Sequence, residues 1–189
     1  MALEIERRFL VAGQAWRERV RWRARLRQGY LARGGDGLTL RVRLSQPEPC
    51  SAAGAPAGCQ QQAEGWLTLK APPPQAVDLI TRMEFEYAIP IGDAEALLAL
   101  TDRQVTKRRY GLDLPGGDWV LDVFEGANAP LVLAEVELPS ADQPLVLPPW
   151  CVLELSGRHE LSNAALAERP LAAWSEVERR ALLDASVQG

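Results

Sequence analysis

The sequence predicts an α+β fold: an antiparallel sheet of eight strands followed by a helical tail. Three observations predict it. Eight short segments alternate apolar and polar residues with the period of a strand. Turn signals rich in Gly and Pro interrupt them, among them Gly34-Gly35-Asp36-Gly37 and Pro115-Gly116-Gly117-Asp118. Beyond Pro148-Pro149 the alternation stops and apolar residues recur at helical spacing. At 189 residues the chain suits one domain spanning 1–189, long enough to bury a core.

The first strand opens the chain, from Leu3 to Val11. It sets Glu4, Glu6 and Arg8 on one face and Ile5, Phe9 and Val11 on the other, with Arg7 among them. Gly13 breaks it, and Gln14-Ala15-Trp16 reads as a helical turn. Arginines then fall at every second position from Arg17 to Arg27. Extended, they make a basic stripe; helical, they scatter around the cylinder. A solvated, aggregation-resistant face is the favoured expectation over a surface for an anionic partner.

The second strand continues through Leu26–Leu31, and the third, Leu38–Leu44, puts Arg41 and Arg43 on one face. Residues 45–64 are poor in sequence complexity and read as a flexible loop inserted between strands. Trp66–Lys70 is the fourth strand, with Thr68 and Lys70 sharing a face, and Pro72-Pro73-Pro74 ends it. The fifth strand sets Arg82, Glu84 and Glu86 opposite Met83, Phe85 and Tyr87. Asp93 is expected to cap a helix running to Leu100. Lys107 and Arg109 share a face of the sixth strand, Asp122 is the carboxylate of the seventh, and Glu135 and Glu137 share a face of the eighth. In the tail, residues 160–186, Ser162 is expected to cap a short helix. A second helix should follow Pro170 with Leu171, Trp174, Val177, Ala181 and Leu182 at helical spacing.

The bulk composition narrows the function classes. Apolar residues make up 47% and charged residues 24%, as in ordinary globular proteins. No run approaches the roughly 18–20 apolar residues needed to cross a bilayer. Glu4 and Glu6 stand where a secretory leader would be basic and then apolar, so a cytoplasmic location with no membrane partner is expected. The net charge of −4 argues against charge-driven binding of nucleic acid. Cys50, Cys59 and Cys151 have no zinc-ligand spacing and are expected to be free thiols. Nineteen arginines stand against two lysines, Lys70 and Lys107.

Seven cations and seven carboxylates share the polar strand faces. The cations are Arg8, Arg41, Arg43, Lys70, Arg82, Lys107 and Arg109; the carboxylates are Glu4, Glu6, Glu84, Glu86, Asp122, Glu135 and Glu137. Either the sheet has an apolar core and a wet, salt-bridged face, or helices cover the apolar faces and the charges look inward on a closed sheet. Both lysines of an Arg-biased chain land on the charged face, which weighs for the second arrangement. Such a hollow suits a polyanion, since arginine forks match phosphate oxygens. Its paired carboxylates suit a hard divalent cation, Mg²⁺ or Mn²⁺. Together they point to metal-assisted hydrolysis of a phosphoanhydride.

In order along the chain, Glu4-Ile5-Glu6-Arg7-Arg8, Gln28-Gly29-Tyr30-Leu31, Arg41-x-Arg43, Leu67-Thr68-Leu69-Lys70, Arg82-x-Glu84-Phe85-Glu86-Tyr87, Lys107-x-Arg109-Tyr110 and Ala134-Glu135-Val136-Glu137-Leu138 resemble the CYTH superfamily of triphosphate tunnel metalloenzymes in its short bacterial form. The resemblance implies an eight-stranded antiparallel closed β-tunnel with a charged interior, flanking helices and C-terminal helices. It implies that Arg41, Arg43, Lys70, Arg82, Lys107 and Arg109 bind phosphate, and that Glu4, Glu6, Asp122, Glu135 and Glu137 carry Mg²⁺ or Mn²⁺ and its water. Glu84 and Glu86 either join them or pair with the arginines. The implied activity is triphosphatase action, with inorganic triphosphate as the leading substrate. Relatives include thiamine triphosphatases and adenylate cyclases.

The chain departs from the pattern at two places. Arg8 stands where the family has the lysine assigned, with the tyrosine matching Tyr30, to activating water, and arginine stays protonated in proteins. Val120 and Val123 replace two carboxylates around Asp122. A tunnel that binds polyphosphate but turns over slowly is therefore the alternative reading. The apolar tail is compatible with a homodimer.

Overall fold

The computed structural model describes residues 2–34, 37–49, 62–72 and 81–187. Alternating residues make nine strands: β1 (Ala2–Val11), β2 (Val20–Arg33), β3 (Thr39–Glu48), β4 (Glu64–Ala71), β5 (Thr81–Ile89), β6 (Gln104–Leu112), β7 (Asp118–Phe124), β8 (Val132–Glu137) and β9 (Cys151–Glu154). Every pairing is antiparallel, in the order β5-β4-β3-β2-β6-β7-β8-β1-β9. A further β5–β1 pairing, from Ala2↔Glu84 to Ile5↔Thr81, closes the first eight into a barrel with no free edge between them. The short β9 pairs the rest of β1, at Phe9, Leu10 and Val11.

Residues directly opposite in an antiparallel pair share a face. The register Glu135↔Arg8, Tyr30↔Arg41, Thr68↔Glu86 and Arg109↔Asp122 therefore puts the charged faces on one side of the wall. The barrel is lined with charge because its apolar faces are covered from outside. Helix α1 (Ile91–Leu98) lays Ala94 and Leu98 on Val42 and Leu44. A Cβ at Gly29 would stand 3.0 Å from both Leu98 and Thr101, so glycine is what lets this end of α1 lie so near the sheet. Around β1, β7 and β8, Phe9, Leu121, Ala134 and Val136 pack beneath Trp16, Trp119 and Trp150. Burying each such side chain contributes about 1.5–3 kcal/mol.

One end of the interior is apolar. There Leu10, Val105, Phe124 and Leu133 meet Leu161, Leu166 and Leu171 of the C-terminal segment, which plugs the barrel. That segment contains helix α2 (Asn163–Glu168) and helix α3 (Glu176–Val187). Ser162 caps α2 as expected, its Oγ accepting from the Ala165 amide at 3.2 Å.

Several details differ from the sequence reading. Helix α1 begins at Ile91, directly after Pro90, so Asp93 lies within its first turn, where a carboxylate still meets the positive end of the dipole. The expected second tail helix is split. Leu171–Ala173 form a 3-10 turn, and α3 starts at Glu176 behind a reciprocal Ser175–Glu178 capping box, leaving Val177 78% exposed. Strand β3 runs to Glu48, so the segment read as a loop from residue 45 starts later. Residues 50–61 with Cys50 and Cys59, the Gly35-Asp36 turn and residues 73–80 lie outside the described residues. Cys151 is a free thiol that burial pushes up to about 12.

The arginine stripe divides. Arg17 and Arg19 belong to a 3-10 turn, while Arg21, Arg23 and Arg25 face outward on β2. They pair with Asp113, Glu48 and Glu125, and Arg108 joins Glu48 and Glu125, giving a salt-bridged exterior. Among the described residues no helix is long and apolar enough to cross a membrane.

Candidate active site

The barrel encloses a cavity of about 360 Å³ open at one side. Among the described residues, eight cations line it: Arg8, Arg33, Arg41, Arg43, Lys70, Arg82, Arg109 and Arg158. Four carboxylates, Glu4, Glu6, Glu84 and Glu135, face them, together with Tyr30 and His159. The placement follows from the period of two. Each strand delivers its charged residues at i and i+2 to one face, and closure turns those faces toward each other.

The charges form two groups. In the first, an Arg41 Nη donates to Thr68 Oγ1 at 2.9 Å, to Glu86 at 3.0 Å and to Glu84 at 3.3 Å. Arg43 reaches Glu86 at 3.1 Å, and the Lys70 ammonium bridges Glu4 at 2.7 Å and Glu84 at 2.8 Å. In the second, Arg8 donates to Glu6 at 2.7 Å, to Glu135 at 3.1 Å and to the Leu161 carbonyl at 3.3 Å. Arg109 grips Asp122 with two nitrogens, at 2.8 and 2.7 Å, and Glu135 at 2.7 Å. Lys107 donates to Asp122 at 2.5 Å and to Asn163 at 2.9 Å.

Neither sign is fully compensated. Burial, with Arg41 beside it, lowers Arg43 to about 10 despite Glu86. Burial and the neighbouring Glu84 raise Glu4 in spite of Lys70, and burial and Glu135 raise Glu6 in spite of Arg8. Burial also raises the Tyr30 phenol. Glu135 goes the other way: burial alone would raise it, but Arg8, Arg109 and Lys107 hold it well below its ordinary value. One part of the wall gains from an incoming anion and an adjacent part from an incoming cation.

Of the fourteen charged candidates, ten line the cavity: Arg8, Arg41, Arg43, Lys70, Arg82, Arg109, Glu4, Glu6, Glu84 and Glu135; Tyr30 lines it too. Four do not. Lys107 and Asp122 are wholly buried inside the barrel toward its apolar end, Glu86 is exposed and held by Thr68, Arg41 and Arg43, and Glu137 is exposed. Glu137 lies opposite both Glu6 and Asp118, so three carboxylates neighbour one another across β7, β8 and β1.

Three titratable lining residues escape the sequence reading: Arg33, Arg158 and His159. The β2–β3 register shifts between Tyr30 and Ala32, so Leu31 is bulged and Arg33 pairs Thr39 on the inner face. Uninterrupted alternation would have sent Arg33 outside. Arg158 and His159 lie in the segment after β9, which Arg8 clasps at both ends. The Arg8 amide donates to Ser156 Oγ at 3.1 Å, and its guanidinium donates to the Leu161 carbonyl. Their one sequence signal is that His159 is the single histidine of the chain.

The donors facing the cavity fit a hard divalent ion. They are carboxylate oxygens, and Glu4, Glu6 and Glu135 stand near enough to raise or oppose one another's ionisation. In this arrangement each is turned onto a cation, and among the described residues no three of Asp, Glu, His and Cys converge as a ready metal centre.

Comparison with known proteins gives a consistent result. The CYTH domain model matches residues 2–168. A protein named inorganic triphosphatase from Acetivibrio thermocellus is 31% identical over 178 residues, covering 93% of this chain and all of that protein. One of the same name from Nitrosomonas europaea is 36% identical over 168 residues, covering 87% of this chain and 96% of that one. A crystal structure of an inorganic triphosphatase superposes with a TM-score of 0.57 at 36% identity, covering 88% of this chain and 95% of that one.

Proposed function

Since this chain belongs to the CYTH domain family, we propose that it hydrolyses a phosphoanhydride bond of inorganic triphosphate inside the barrel, with Mg²⁺ or Mn²⁺. The observation that carries the reading is the cavity itself, about 360 Å³ lined by eight cations and four carboxylates among the described residues. That volume is at the lower end for small-molecule sites. It suits a compact polyanion better than a nucleotide with its base and sugar. The relatives named inorganic triphosphatase support the same substrate.

Arg41, Arg43, Lys70, Arg82 and Arg109 bind the phosphate oxygens. The arginines offer forks that match two oxygens at once, and Lys70 offers a point charge. On binding, phosphate oxygens replace Glu84 and Glu86 as partners of Arg41 and Arg43. Arg8 sits between Glu6 and Glu135 and neutralises charge where the two carboxylates meet. It keeps its proton, so it stabilises charge and does not act as a base. Tyr30, buried on the inner face opposite Arg41, fixes the wall and offers a hydroxyl to the same space. Glu4, Glu6 and Glu135 would hold the divalent ion, which supplies neutralisation of phosphoryl charge and a more acidic water.

The test is a phosphate-release screen with purified protein, Mg²⁺ or Mn²⁺, and inorganic, thiamine and nucleoside triphosphates. Release from inorganic triphosphate that stops with a chelator supports the proposal. No release from any of them sinks the enzyme reading. A second reading, polyphosphate binding with weak turnover, is favoured by Arg8 itself, which holds the family's water-activating position with a group that cannot accept a proton. Calorimetry showing tight triphosphate binding without phosphate release, with Arg8→Lys gaining activity, selects it. Analysis for cyclic AMP after incubation with ATP tests a cyclase.

A further inference from the structure

We propose that Asp122 is a positioning residue that aims Arg109 into the cavity and ties it to α2, and that it takes no part in holding the divalent ion. This rests on reading the cavity as a metal-assisted phosphate site and reassigns one carboxylate and one lysine within it. Both oxygens of Asp122 are engaged, and three of its roughly four lone-pair sites are taken by cations. Its Oδ1 accepts from Arg109 at 2.8 Å, and its Oδ2 accepts from Arg109 at 2.7 Å and from Lys107 at 2.5 Å. Its side chain has no solvent exposure and does not line the cavity.

The surroundings of Asp122 explain why. Across the sheet it faces Arg109 on one side and Leu133 on the other. Along its own face the neighbours are Val120 and Phe124, and the one carboxylate nearby, Glu135, is held off by Arg109, whose Nη lies 2.7 Å from each of the two. A divalent ion needs several oxygens at once. A fully buried carboxylate whose oxygens already accept from two cations meets that need poorly. The Lys107 ammonium, 5.3 Å above the Phe124 ring, is the resident cation here.

The chain of contacts runs on in both directions. Arg109 continues to Glu135, whose other oxygen meets Arg8, and Lys107 continues to Asn163 at the first residue of α2. Glu135 and Asn163 both line the cavity, so Asp122 and Lys107, buried beneath it, fix the spacing between its wall and its C-terminal cover.

Asp122→Asn in the full chain separates positioning from ligation. Mn²⁺ affinity is followed by the electron paramagnetic resonance signal of free Mn²⁺, and triphosphate affinity by calorimetry. The Arg109 side-chain Nε–H is observed by ¹⁵N NMR. Positioning predicts unchanged Mn²⁺ affinity and triphosphate affinity weaker by roughly tenfold, the lower end of what losing an orienting partner costs. It also predicts faster exchange of the Arg109 Nε–H, and a shifted Asn163 amide in Lys107→Met. Loss of Mn²⁺ affinity by about tenfold or more, or an unchanged Arg109 Nε–H, overturns it. Should Asp122→Asn not fold, Asp122→Leu/Lys107→Met replaces the buried pair by apolar groups and is read the same way. A wild type that binds no triphosphate overturns the functional reading instead, and the Arg109 and Mn²⁺ signals still decide the role of Asp122.

Discussion

Replacing Arg41 by alanine strikes the phosphate-binding wall at its most connected cation. One Nη of Arg41 meets Thr68, Glu84 and Glu86, and the residue is 7% exposed. Two costs can be worked separately. Cutting a buried ion pair on one side costs about 3–5 kcal/mol when the remaining charge is stranded. Here Glu84 keeps Lys70, and Glu86 keeps Arg43 and Thr68. The loss therefore falls toward the cost of an ordinary charged hydrogen bond, about 1.5–3 kcal/mol. For a chain of this length that lowers the melting temperature by roughly 3–12 °C. Catalysis suffers more, because a preorganised donor aimed at developing charge contributes about 2.7–4 kcal/mol, or roughly 10²–10³ in rate. Steady-state hydrolysis of inorganic triphosphate, run at a temperature where melts show both proteins folded, reads the second cost free of the first. Arg41→Lys should recover only part, since it restores charge without the fork. Activity within about twofold of wild type in Arg41→Ala would refute the assignment of this wall to phosphate, given the size expected for a lost donor.

Four further predictions follow from the same contacts. Glu135 is held below its ordinary value of 4.5, so its contribution to stability is present above the unfolded pKa and is lost as pH falls toward the folded one. Thermal melts below about pH 5 should therefore decline less steeply in Glu135→Gln, with the raised Glu4 and Glu6 acting in the opposite sense. Mn²⁺ at 100 times its Kd should stabilise the fold by about 2.7 kcal/mol, an increment that Glu6→Gln reduces in calorimetric melts. Phe9→Ala, which empties a buried site against Trp119 at 6.1 Å between ring centroids, should cost about 3–5 kcal/mol in urea unfolding. Ser162→Ala should cost about 1 kcal/mol through the lost α2 cap.

The strands were legible because alternation with period two survives in almost every segment, and the inward direction of the charges was legible only as one of two arrangements. Depth was not. Lys107 and Arg109 share a strand face, yet one is sealed in the barrel interior and the other lines the cavity. The difference comes from what lies across the sheet: Lys107 sits between Leu26 and Phe124 near the plugged end, and Arg109 between Ala24 and Asp122. Arg33 was invisible because a bulge leaves no mark on a pattern read residue by residue. Strand β9 is not legible because four residues, Cys151–Glu154, show too little alternation to stand out, and the placement of Arg158 and His159 depends on it. The start of helix α1 is not legible in the sequence because Asp93 is a good cap by type, while Pro90 already stands at the cap position.

The central claim is that the inward charges of the closed barrel bind a compact polyphosphate. Calorimetric titration of inorganic triphosphate with Mg²⁺ into the wild type and into Arg41→Ala/Arg43→Ala tests it most directly. One saturable, one-to-one heat that weakens with salt and disappears in the double variant is the predicted result. Equal heats in the two proteins would place the ligand somewhere other than the barrel interior.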